Sequence, residues 1–71
     1  RIMVLCNLPS QTNVEELHLP SSAAPTIVDI TKEWKSFVIC TPLSDQGKVI
    51  VSLERAGAKG IVVQSVQGYL P

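Results

Sequence analysis

The sequence predicts an α+β domain, a four-stranded antiparallel sheet with two helices on one face in the order βαββαβ. Three observations carry that expectation. Apolar and β-branched residues gather into four short runs, at residues 2–8, 26–31, 36–43 and 60–66. Helical start and stop signals fall between the first and second runs and between the third and fourth. The chain of 71 residues has room for one small domain, residues 1–71, and not for two.

The first run opens at Ile2 and is closed by Pro9, the usual punctuation of a strand. Thr12-Asn13 then supplies a helix N-cap, and Glu15 and Glu16 fall in the first turn, where carboxylates complement the helix dipole. Pro20 limits this helix to about two turns. The second and third runs, joined by Lys32-Glu33-Trp34-Lys35, read as a hairpin.

A second helix spans residues 44–57. Val49, Ile50, Leu53 and Ala56 share one face at spacings of three and four, and Gly57 stands where a C′ glycine closes a helix. A competing reading makes Asp45-Gln46-Gly47 a turn and residues 48–53 a strand, since Val49-Ile50-Val51 is β-branched. The fourth run follows at once. Right-handed crossovers place the first and third strands in the centre, a ferredoxin-like sandwich.

Composition excludes several classes. Six basic residues balance six acidic ones and 45% of the chain is apolar, which is unlike a disordered segment. No apolar run approaches the ~20 residues of a membrane span, and residues 1–6 are too short for a signal peptide. Cys6 and Cys40 lie inside apolar runs and read as two reduced, buried thiols of an intracellular protein, nuclear or cytoplasmic. A Cys6–Cys40 bridge stays open if their strands are neighbours.

Candidate chemistry is sparse. His18 is the one histidine, too few ligands for zinc, and it reads as a packing or surface residue. Glu15 and Glu16 diverge by about 100° on a helix and form no catalytic pair. Gly57-Ala58-Lys59-Gly60 leads into a strand, whereas a phosphate cradle leads into a helix. No enzyme activity, cofactor or metal is expected.

Met3-Val4-Leu5-Cys6-Asn7-Leu8-Pro9, with Thr12 and Glu16-Leu17 beyond, resembles the first strand and helix of the RNA recognition motif. The family's second signature falls in residues 34–41, and Lys59-Gly60-Ile61-Val62-Val63-Gln64 resembles the entry to its fourth strand. The resemblance implies a module that binds single-stranded RNA on its sheet face, where bases stack on rings of the two central strands. Phe37 would then stack, Trp34 stack or clamp, Asn7 hydrogen-bond and Lys35 meet phosphate. Val4 occupies the first-strand aromatic position, Lys59 joins Lys35 and Arg1 as a phosphate contact, and Tyr69 folds back across the sheet.

Two rivals accompany that reading. With Val4 in place of a ring and zero net charge, the same fold serves as a protein-interaction module. Alternatively, residues 37–63 form a parallel strand–helix–strand unit, an accessory fragment like a protease-associated domain. In the first two readings the chain is a monomeric module of a larger protein, without membrane contact. The direction of the fourth strand separates the third reading from the others.

Overall fold

The computed structural model describes residues 1–20 and 25–68. Four strands, β1 (Ile2–Pro9), β2 (Thr26–Asp29), β3 (Trp34–Thr41) and β4 (Lys59–Ser65), form one sheet in the order β2-β3-β1-β4. Every neighbouring pair is antiparallel. The central pair is β1 and β3, as the crossover rule requires. Because β4 runs antiparallel beside β1 and does not touch β3, the parallel strand–helix–strand reading is excluded.

Among the described residues one α-helix packs on the sheet, α1 (Gln46–Arg55). The expected first helix is absent as an α-helix: Val14–Leu17 makes a single 3₁₀ turn. Asn13 caps it as expected, its Oδ1 accepting the Glu15 N–H at 3.2 Å. His18 then enters the left-handed region at φ 49°, and Pro20 follows two residues later. With the cap at Asn13 and the stop at His18, no room remains for a second turn. The fold is therefore a four-stranded antiparallel sheet with one helix, not a two-helix βαββαβ sandwich.

The competition over residues 48–53 resolves as helix. Val49 and Leu53, four apart, are fully buried, while Lys48, Val51, Glu54 and Arg55 face out. Burying that stripe outweighs the weak helix propensity of three β-branched residues. The stop works as expected. Gly57 at φ 90° donates its N–H to the Glu54 carbonyl and Ala58 donates to Leu53, both at 3.0 Å, the paired bonds of a Schellman motif.

Register decides which side chains α1 covers. Val4 lies opposite both Ile39 and Val63, and cross-strand partners share a face. Ile2, Val4, Cys6 and Leu8 therefore join Phe37, Ile39 and Thr41 beneath Val49 and Leu53. Met3, Leu5, Val38, Cys40 and Val62 occupy the opposite face. Cys6 and Cys40 are thus on neighbouring strands but on opposite faces, and both remain thiols. Among the described residues no helix is long and apolar enough to cross a membrane.

Candidate functional site

The residues expected to form an RNA-binding surface are dispersed by this register. Val4 and Phe37 are both 0% exposed, on the face that α1 covers, so neither can stack a base. Asn7 is exposed on the other face, opposite Ser36 and Lys59. Trp34 opens β3 half-buried, its backbone holding the hairpin: its N–H goes to Thr31 Oγ1 and its carbonyl accepts from Ile30 and Thr31, each at 3.1 Å. Lys35 is turned to the helical side, where its Nζ donates to the Thr12 carbonyl at 2.6 Å. Lys59 is exposed at the start of β4, and Tyr69 lies outside the described residues.

What the fold does assemble is a cleft on the helical side of the sheet. Beside the short 3₁₀ turn it is lined by Val14, Glu15, His18, Leu19 and Pro25, with Phe37 and Ile39 buried beneath them, and has a volume of about 250 Å³. That is just under the ~300–1,000 Å³ of typical small-molecule sites. It suits a ligand the size of an amino acid.

Local structure fixes the polar rim. Asn13 holds the turn from both ends, accepting from Glu15 N–H and donating through Nδ2 to Glu16 Oε1 at 3.3 Å. Glu16 is thereby engaged, and Glu15 belongs to the cleft. The His18 N–H closes the turn on the Glu15 carbonyl at 3.3 Å, so the two polar residues of the rim are set by one backbone bond. Thr41 Oγ1 donates to the Pro20 carbonyl at 2.7 Å, and Lys35 anchors the other end at Thr12. The segment is tied to β3 at both ends.

The lining offers one carboxylate, one imidazole and several apolar side chains. Among the described residues no cluster of three metal-ligating side chains occurs. The sequence suggested Glu15 as a helix-start residue and His18 as a packing or surface residue. The one available signal was Pro20 so soon after the N-cap, since a truncated helix cannot cover the sheet beneath it.

Compared with known families, the chain matches the HisG, C-terminal domain family over residues 1–68. A comparison with curated proteins returns no match. The family match overturns the resemblance to the RNA recognition motif and, with it, both readings built on that module, single-stranded RNA as partner included. The two patterns share strand order and the central strand pair, which is why an Asn-Leu-Pro strand ending followed by an acidic-Leu pair carried the wrong assignment.

Proposed function

This chain belongs to the HisG C-terminal domain family, and we propose that it is the regulatory domain of an ATP phosphoribosyltransferase, under feedback control in histidine biosynthesis. The family match over residues 1–68 carries this reading. The domain binds an effector and performs no chemistry of its own. An intracellular setting fits, since Cys6 and Cys40 are both thiols.

Of the effectors associated with the family, histidine or AMP, the cleft favours histidine. The Glu15 carboxylate attracts an α-ammonium group and repels a phosphate. The half-buried Val14, Leu19 and Pro25 offer an apolar wall to the ring, with Phe37 and Ile39 buried beneath them, and His18 offers a hydrogen-bonding partner at the rim. A ligand held there bridges the 3₁₀ turn to β3. It favours conformations in which those two are fixed together, and only such differential affinity transmits regulation.

Calorimetric titration of the full-length chain with histidine tests the reading. Saturable binding, weakened at least tenfold in Glu15→Gln with AMP giving none in this cleft, supports it. Absence of histidine binding, or equal affinity in Glu15→Gln, overturns it.

A further inference from the structure

Residues 12–20 lie against the helical side of the sheet as a strap. Lys35 Nζ, at the second residue of β3, donates to the Thr12 carbonyl at 2.6 Å, and Thr41 Oγ1, at the last, donates to the Pro20 carbonyl at 2.7 Å. Between those two bonds the segment is held more lightly than α1. Its own hydrogen bonds are local: the Glu15 and Glu16 N–H groups go to Asn13 and the His18 N–H to Glu15, at 3.2, 3.2 and 3.3 Å. Its apolar side chains Val14, Leu17 and Leu19 rest on the core half-buried, whereas Val49 and Leu53 of α1 are fully buried. His18 ends the turn at φ 49° and ψ 46°, a conformation unfavourable for a residue with a Cβ.

We propose that this strap opens and closes on β3 as one unit, with Lys35 and Thr41 as its two latches. A single turn does not persist without tertiary support, because nucleating a helix costs more than one hydrogen bond returns. Releasing either latch therefore loosens the turn between them, and the loss spreads to the other end. A segment with so little buried apolar surface opens well before the whole fold does. Opening dismantles the cleft, since Val14, Glu15, His18 and Leu19 belong to the strap and Phe37 and Ile39 to β3. Any occupant of the cleft selects the closed state. The strap itself needs no ligand, so this inference stands or falls apart from the histidine reading.

Native-state hydrogen exchange of the full-length chain without ligand, followed amide by amide in low concentrations of urea, tests this. The amides of Glu15, Glu16 and His18 should share one opening free energy, lower than that of the central β1 and β3 amides and with a smaller urea dependence. Each latch should act on the far end of the strap. Lys35→Met, which keeps the apolar stem, should speed exchange at His18 about tenfold, and Thr41→Val should do the same at Glu15. Thr41→Ser, which keeps the donor, should return Glu15 to the parent rate. A latch change felt only at its own end, separate opening free energies for the three amides, or no protection at all would overturn the proposal. So would strap amides that exchange only when the whole sheet unfolds.

Discussion

The hydroxyl of Thr41, at the end of the central strand β3, donates a 2.7 Å hydrogen bond to the carbonyl of Pro20, twenty-one residues earlier. Thr41 is 0% exposed and Pro20 half-buried, so this part-buried bond ties the segment after the 3₁₀ turn to the sheet. Thr41→Val keeps the shape but orphans the Pro20 carbonyl. It should lower stability by about 1–3 kcal/mol in urea denaturation and loosen histidine binding at the adjacent cleft. Thr41→Ser, which keeps the donor, should recover most of the stability.

Gly57 and Gly60 both have positive φ, at 90° and 63°, but their surroundings differ. A Cβ at Gly57 would sit 3.3 Å from Pro9 Cγ, whereas at Gly60 it would meet nothing within 4 Å. Gly57→Ala should therefore cost more than the ~1–2 kcal/mol of a left-handed residue, and Gly60→Asn less than that. Thermal unfolding of both variants measures the difference. Equal losses would show that contact with Pro9 is unimportant.

Burial pushes the Cys6 thiol above its usual 9.0, because desolvation disfavours the thiolate. As pH rises the unfolded chain releases this proton first, so the contribution to stability is complete below pH 9 and is lost as pH climbs through the folded-state value. Cys6→Ala should be less stable than the parent at neutral pH, through the smaller side chain, with the gap narrowing above pH 9. A gap that stays constant with pH would sink the argument. In the native protein at pH 8, half-exposed Cys40 should react with a thiol reagent before Cys6.

The two faces of the sheet should respond differently to truncation. Leu53→Ala, beneath which Val4 and Phe37 pack, should cost about 2–5 kcal/mol. Val62→Ala, at 49% exposed on the opposite face, should stay within about 0.5 kcal/mol. Comparable losses would mean that the second face is covered in solution.

Much of this architecture was legible in the residues. The punctuation at Pro9, Gly57 and Gly60, and the hairpin connection read at residues 32–35, placed the four strands to within two residues, although Trp34 and Lys35 of that connection already belong to β3. The i, i+4 pair Val49 and Leu53 outweighed the β-branched run around it, because a helix buries that pair on one side. The first helix was misjudged because its cap and acidic turn are genuine start signals, and only the nearness of Pro20 spoke for a single 3₁₀ turn. The cleft was not legible: Glu15 and Phe37 are 22 positions apart, and nothing in either neighbourhood indicates that they share an opening.

Local chemistry by itself determined the elements, their order and their turns, since caps, glycines and side-chain periodicity act over a few residues. Which face of the sheet would be covered was decided only by packing. Strand side chains alternate between two faces, and here Met3 and Leu5 are nearly as apolar as Val4 and Cys6, so the alternation is almost silent. Seating Val49 and Leu53 against Val4 and Phe37 broke that near-symmetry. The buried side was thereby removed from any ligand, and the truncated turn beside it opened as a cleft.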